Sequence, residues 1–559
     1  MYNTLPPDID DAMETFIFAE DTAPLNDEVI IYEDSDDAVP NNAVNTISYY
    51  YDGNKEKPKK GKKKKDKKNK KYDMIPGYYG PPRVQPEDVF DIFERQLFQQ
   101  QPAIRECYNA PDSMLFDPRR ESAFFFGKSW SGFVGKHQDR DGHISVFGGS
   151  GSGKSSCIAI PTIATWKGPI FAIDFKGELV ARAARRKPKV LNLLKGQRNF
   201  YRYDPFYFLL QDGDETIIQN ARELAQAIIP LPQIIDNPFW LMSARDILTG
   251  AFVYYCKLGT GFIEAILIIK TTPIAELLKT ISSSKEAQVC VNPDLEMDTK
   301  MIAGVSAELH NHISVFATDT LIQDVLSPPE DITGGLVKWE DLEHGDVFLR
   351  IDHRRASQWG SVIRLMLTQL IRTLESRPEK YSSEGANLPS TLLMLDEFPQ
   401  YGKIDVVPSA LQTLRSKNVT IALFCQSLAD LDAIYGVDTR RVILDNSPYR
   451  IVLNASDAET QQYFSNLVGT AKFPIRGVSV NYNKFGQAAG YNRNVDEVRE
   501  PIILPHEFAA LQDIVILHPG PERFCRVERV SCYARNSSLN QLRAPIAPPK
   551  LLETNIREE

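Results

Sequence analysis

His143-Ile-Ser-Val-Phe-Gly148-Gly-Ser-Gly-Ser-Gly-Lys154-Ser155 is an apolar, strand-like run that breaks into glycines and serines, closes on Lys-Ser and leads into a helical segment. The octet Gly148–Ser155 satisfies GxxxxGK[ST]. Glycine permits backbone angles that turn successive N–H groups inward, and the following helix adds its positive N-terminal end. Such a loop cradles polyphosphate. Gly148, Gly149, Ser150, Gly151, Ser152 and Gly153 supply the backbone; Lys154 reaches the β- and γ-phosphates, Ser155 ligates Mg²⁺, and Ser156 lies beside the α-phosphate. A flexible linker has the same Gly/Ser content but lacks the Lys-Ser ending and the flanking strand and helix. ATP and Mg²⁺ are the expected ligands.

A phosphate loop needs an acid at the end of a neighbouring strand, and Thr391-Leu-Leu-Met-Leu-Asp396-Glu397 supplies two. Asp396 suits a role on the metal, and Glu397 suits polarising the attacking water. Alone, an apolar run ending in Asp-Glu is a strand and a turn; paired with the loop some 240 residues earlier, it reads as the hydrolytic half of the site. Gln426 closes another apolar run, Thr420–Cys425, which places an amide at a strand's C-terminal edge, where it would sense the γ-phosphate. The competing reading makes it the first residue of the helical segment Ser427–Tyr435. Arg415 ends the helical run Val407–Arg415. A surface arginine is usually a solvated charge, yet multimeric motors of this kind need a cation donated by a neighbouring subunit.

Around these motifs the chain alternates apolar runs with amphipathic segments, the pattern of α/β units on a mostly parallel sheet. Strands are expected at His143–Phe147, Ile170–Ile173, Val347–Ile351, Thr391–Leu395, Thr420–Phe424, Arg450–Leu453 and Ile514–Leu517, after a small β element at Phe124–Phe126 and Gly132–Gly135. Residues 213–323 read instead as successive helices (Glu215–Ile228, Phe239–Tyr255, Pro273–Lys279, Asp298–Val315), an all-α domain inserted into an α/β core of residues 76–212 and 324–535.

The chain has 559 residues, 43% of them hydrophobic, and a net charge of −9, so any polyanion contact must be local rather than a global basic field. Residues 1–54 hold thirteen acids and no Lys or Arg, whereas Lys55–Lys71 holds twelve lysines. Such blocks cannot bury a core, so 1–75 is expected to be disordered, with 536–559 as a C-terminal tail. The lysine block is either a solvated tether or a contact for anionic lipid or DNA. Arg182, Arg185, Arg186, Lys187 and Lys189 form the densest basic cluster of the body, read as a solvated helix face. The seven cysteines lack metal-ligand spacing and read as reduced thiols of a cytosolic protein.

From Gly132 to Tyr533 the chain resembles the type IV secretion coupling proteins of the TraG/TraD class. The resemblance rests on His143–Ser155, Ile173-Asp-Phe-Lys-Gly-Glu178, Tyr203-Asp-Pro-Phe206, Asn237-Pro-Phe-Trp-Leu-Met-Ser-Ala-Arg245, Leu395-Asp-Glu-Phe-Pro-Gln-Tyr-Gly402, Phe424-Cys-Gln-Ser427 and Arg499-Glu-Pro501, in that order. It implies a RecA-like P-loop NTPase domain with an inserted all-α domain, assembled as a homo-hexamer around a channel, with Arg415 and Gln426 at the family's arginine-finger and sensor positions. Asp174, Lys176 and Glu178 are expected to face the nucleotide cleft, with helix capping as the alternative for Asp174. The implied function is ATP hydrolysis coupled to transfer of DNA, single-stranded and with a relaxase, into a secretion channel. Alternatives are a nucleotide-controlled recruitment platform for relaxase or effector proteins and an FtsK-like DNA pump. Most members carry N-terminal transmembrane helices, where this chain has an acidic arm and a lysine block. A cytoplasmic protein is expected, peripheral at the inner membrane through a membrane partner or channel ATPase and through Lys55–Lys71.

Overall fold

The structure, a computed structural model, describes residues 110–194, 201–211, 213–232, 237–292, 297–328, 335–482, 488–521 and 523–532. The expected acidic arm, lysine block and C-terminal tail lie outside the described residues. Sixteen strands are found among them: β1 (Leu115–Phe116), β2 (Ala123–Ser129), β3 (Gly132–His137), β4 (Ile144–Phe147), β5 (Ile170–Asp174), β6 (Lys189–Leu193), β7 (Tyr201–Arg202), β8 (Gly335–Leu336), β9 (Val347–Ile351), β10 (Thr391–Leu395), β11 (Val419–Cys425), β12 (Tyr449–Val452), β13 (Thr470–Tyr482), β14 (Ala488–Pro501), β15 (Ile514–Leu517) and β16 (Phe524–Val527).

Nine of these form one sheet in the order β16-β15-β12-β4-β11-β10-β5-β9-β6. From β12 to β6 each neighbouring pair is parallel, and β15 and β16 extend the sheet antiparallel. The strands read as continuous apolar runs because both faces are covered. Their side chains alternate between two cores. Ile144, Val146, Ile170, Ala172, Leu392 and Met394 pack on one face, with Ile158, Ile160 and Ile163 of the helix that follows the glycine loop. Phe147, Phe171, Ile173, Leu393 and Leu395 pack on the other, beneath the helices Gly360–Glu375, Val407–Thr413, Leu428–Asp445 and Ala458–Val468.

Between β7 and β8 the described residues form no strand and carry the α-helices Ile217–Ile228, Phe239–Lys257, Phe262–Thr271, Ile274–Ile281, Lys285–Val291, Thr299–Thr318 and Thr320–Leu326. β7 and β8 pair in parallel, so the chain leaves and re-enters the α/β part side by side. The last helix starts at the N-cap Asp319, whose carboxylate accepts from Leu321 N–H at 2.9 Å, and runs past the expected boundary at 323. The insertion is not a separate body, because one apolar core runs from Phe171 through Phe206, Phe252 and Phe316 to Leu370.

The small β element expected at Phe124–Phe126 and Gly132–Gly135 is present: β2 and β3 form a three-stranded sheet with β1, outside the main sheet. Two points differ from the sequence reading. The long antiparallel pair β13–β14 is a further sheet that the sequence reading missed. The basic cluster is not simply a solvated face: Arg186 is bidentate to the buried Asp346, at 2.5 and 2.8 Å, and also donates to Trp166 O and Gly168 O, each at 2.6 Å. The described cysteines carry free thiols. No helix among the described residues is long and apolar enough to cross a membrane.

Candidate nucleotide site

Because β4, β5, β9, β10, β11 and β12 are parallel, the residues after each strand meet along one edge of the sheet, where open α/β folds bind ligands. The glycine loop follows β4; Asp396 and Glu397 follow β10; Gln426 follows β11, the strand between them. Gly151 and Gly153 adopt φ of +73° and +96°, angles at which an L side chain is strained, and Gly153 N-caps a π-helical turn, Lys154–Ala159, that continues as the α-helix Ile160–Thr165. At Gly148 the limit is space: a Cβ would lie 2.4 Å from Ser152 Oγ.

The loop is held from outside as well. Gly148 N–H donates to Cys425 O at 3.2 Å, and Gly149 N–H to Asn454 Oδ1, just beyond β12, at 2.7 Å. Arg529 braces it from behind, donating to Ser152 O at 3.2 Å, Leu511 O at 2.7 Å, Asp513 O at 3.2 Å and Leu453 O. One guanidinium thus joins the loop to β12 and to the segment before β15.

Lys154 Nζ donates to Gly148 O and, at 3.2 Å, to Gly149 O. Burial lowers its pKa, while Asp396 and then Glu397 pull it back up, so all three groups share one electrostatic field. Asp396 is 6% exposed. Burial first, and the neighbouring Glu397 second, push its pKa up to about 6; Lys154 and Lys176 oppose this. Its backbone oxygen accepts from Tyr401 O–H, and its carboxylate accepts from Glu397 N–H at 3.1 Å. Glu397 itself has φ +50° and ψ +41°, a left-handed conformation rare outside glycine and a form of strain that concentrates at functional sites. Its Oε2 lies 3.1 Å from His353 Nε2, just past β9, without hydrogen-bond alignment to any described partner.

Two crowded carboxylates, one with a protonation-prone oxygen and one with an unmatched buried oxygen, suit a divalent cation nearby. The donor set fits magnesium, which takes few protein ligands and shares its coordination with phosphate and water; no cluster of three or more His, Cys, Asp or Glu competes for a metal among the described residues. Ser155 and Asp396 are the residues that would hold it.

The remaining expected residues divide. Gln426 is exposed at the edge beside the loop, whereas the N-cap of the following helix is Ser427, whose side chain accepts from Asp430 N–H at 3.2 Å. Lys176 is exposed and acts on both Lys154 and Asp396, so it faces the cleft. Asp174 follows the capping reading: its carboxylate accepts from Lys176, Gly177 and Val180 N–H at 3.1, 2.7 and 2.8 Å. Phe175 stacks on Tyr401 with ring centroids 5.7 Å apart, tying the end of β5 to the segment after Glu397. Arg415 lies elsewhere. It is exposed just before β11, at the opposite edge of the sheet from the loop. Seven residues of β11 intervene, about 20 Å at strand rise, so Arg415 is not brought together with the loop, Asp396 and Glu397 within this chain. Sequence reasoning missed Asn454, Arg529 and His353.

Residues 100–534 match the family described as Type IV secretory system Conjugative DNA transfer. The chain is 23% identical over 399 residues to protein VirD4 of Rhizobium rhizogenes, covering 68% of this chain and 57% of that one. It is 21% identical over 449 residues to the conjugal transfer protein TraG of Escherichia coli, covering 70% and 66%. It therefore spans little more than half the length of the VirD4 relatives. Among solved structures it is similar to the bacterial conjugative coupling protein TrwBdeltaN70, with TM-score 0.57 and 16% identity over 76% of this chain and 90% of that one. The plasmid coupling protein TrwB in complex with ADP and Mg²⁺ gives a TM-score of 0.55 at 16% identity, over 77% and 91%. The fold is that of a RecA-like P-loop NTPase with an all-α insertion, and with the family match over most of its length the chain belongs to the type IV secretory system conjugative DNA transfer family.

Proposed function

We propose that the protein is an ATP-hydrolysing coupling protein that drives DNA, single-stranded and with a relaxase, into a conjugation or type IV secretion channel. The observation that carries this reading is the convergence of Gly148–Ser155, Gln426 and Asp396–Glu397 after three consecutive neighbours in the sheet, β4, β11 and β10. The family match and the TrwB complex with ADP and Mg²⁺ support the choice of ligand and process.

The loop N–H groups and Lys154 hold the β- and γ-phosphates, and Ser156 lies beside the α-phosphate. Ser155 and Asp396 are the residues that would hold magnesium, which when bound would supply positive charge against the phosphate oxygens. Glu397 polarises water for in-line attack, with the proton passing toward its carboxylate, and Gln426 senses the γ-phosphate from the adjacent strand. Arg415 completes the site of the neighbouring subunit: its place at the far edge of the sheet gives it no role in its own site and suits a closed ring, which we take to be a homo-hexamer. In the cell we place the ring at the cytoplasmic face of the membrane, on a membrane partner or channel ATPase, with Lys55–Lys71 drawn to anionic lipid.

The test is phosphate release by the purified chain with and without single-stranded and double-stranded DNA. Hydrolysis stimulated by DNA and abolished in Glu397→Gln is expected; full transfer in cells carrying Glu397→Gln would instead make the protein a recruitment platform.

A further inference from the structure

Arg245 closes the segment Asn237–Arg245, which the nucleotide site leaves unused. It lies on the insertion helix Phe239–Lys257, while Arg364 lies on the sheet-covering helix Gly360–Glu375. The two side chains meet at the C-terminal end of a third helix, Ile217–Ile228. Arg245 Nε donates to Ile229 O at 2.7 Å and Arg364 Nε to Ala227 O at 3.2 Å. A helix leaves its last carbonyls without intrahelical partners, so capping accounts for one edge of each guanidinium.

It does not account for the other edge. A guanidinium carries five N–H donors, and among the described residues neither arginine is ion-paired to a carboxylate at salt-bridge distance. Both line a cavity of about 650 Å³. Its other walls are Lys403–Val406, the continuation of the segment that carries Glu397, and the stretch around Gly436, whose φ of +75° breaks the helix Leu428–Asp445. Tyr435 Oη accepts from Ile404 N–H at 3.1 Å, pinning these two walls together.

The charges do not cancel. The acids whose fields reach the pair are Asp405, on both arginines, and Asp246, on Arg245. Asp405 is already ion-paired to Lys403 at 2.9 Å, and Asp246 shares its charge with Arg222. The lining acids Glu223 and Asp438 are tied to Arg372 and Arg441, at 3.0 and 3.2 Å. The lining thus carries four cations, Arg245, Arg364, Arg372 and Lys403, against three acids, Glu223, Asp405 and Asp438, and Arg245 and Arg364 are the two with no carboxylate at salt-bridge distance among the described residues. The cavity has the size of small-molecule sites, and the planar guanidinium fork matches phosphate oxygens.

We infer that this cavity binds a small phosphate-bearing anion, at a site separate from Gly148–Ser155, with Arg245 and Arg364 as its anchors. An occupant bridges the helical insertion, the sheet-covering helix and the loop that continues from Glu397, so it links the placement of the insertion to the hydrolytic segment.

The probe is inorganic pyrophosphate, titrated calorimetrically into the full chain carrying Lys154→Ala, which removes polyphosphate binding at the glycine loop. The site thus stands or falls apart from the hydrolytic reading. Saturable binding is expected, weakened roughly tenfold by Arg245→Gln and by Arg364→Gln, the loss of one charge-assisted contact. No binding, or binding indifferent to both substitutions, overturns the proposal. Because both substitutions also remove a helix cap, a second readout uses the unsubstituted chain saturated with ADP and Mg²⁺. Pyrophosphate should protect Arg245 and Arg364 from phenylglyoxal, read by mass spectrometry. Equal modification with and without pyrophosphate overturns the site, as does protection by a single-stranded oligonucleotide alone.

Discussion

Arg415 and Gln426 bracket the same strand, one just before the first residue of β11 and the other just after its last, so a single element carries a cation to one edge of the sheet and an amide to the other. A rigid strand buried on both faces fixes that separation. Of the two, only Gln426 reaches the phosphate edge within the chain; the ring proposed above would give Arg415 a site to act on.

Glu397→Gln should separate binding from hydrolysis. The amide keeps the shape and cannot take a proton, so turnover should fall by about 10² to 10⁴-fold while a fluorescent nucleotide binds about as well as before. Loss of binding together with turnover would instead make Glu397 a structural acid.

Arg529 touches the glycine loop only through Ser152 O and should matter at a distance. Arg529→Lys keeps the charge but cannot span four carbonyls, leaving acceptors unpaired at roughly 1 to 3 kcal/mol each where buried. We expect weaker nucleotide binding and a lower melting temperature, with the turnover of the bound complex little changed. Equal affinity for nucleotide would show that the loop needs no brace.

Lys136 supplies a pH dependence. It is 1% exposed, with Thr420 Oγ1 at 3.1 Å as its hydrogen-bond acceptor. Burial is the main cause that lowers its pKa to about 7, against the pull of Asp141. Between that value and the ordinary lysine value near 10.5, the unfolded chain holds the proton more often than the folded one, so stability rises with pH across this window. The melting temperature should climb from pH 7 to pH 9, and Lys136→Met should flatten the climb and be the more stable form at pH 7. A parallel pH profile in the variant would assign the slope to other groups.

The sequence revealed the parts of the fold that are locally patterned. The buried parallel strands read as apolar runs, and the loop and the Asp-Glu pair announce themselves by spacing. β6 was hidden because its residues follow directly on the basic cluster, where Arg186 turns out to be committed to Asp346. β13 and β14 escaped because Pro474, Gly477 and many polar residues leave them without an apolar run. Asn454, Arg529 and His353 act through approaches from far along the chain, which no local pattern encodes. One signal was nevertheless present: Asn454 closes the run Tyr449–Leu453 much as Gln426 closes Thr420–Cys425, so the rule that singled out Gln426 would have singled out Asn454 as well.

The claim that a site is shared between subunits is tested most directly by mixing two inactive variants, Arg415→Ala and Glu397→Gln, and measuring ATP hydrolysis. Each supplies what the other lacks only if Arg415 acts across the interface, and random assembly then restores about a quarter of the sites in a closed ring. Activity that reappears on mixing is the predicted result; a mixture as inactive as its components, with assembly intact, would contradict the account.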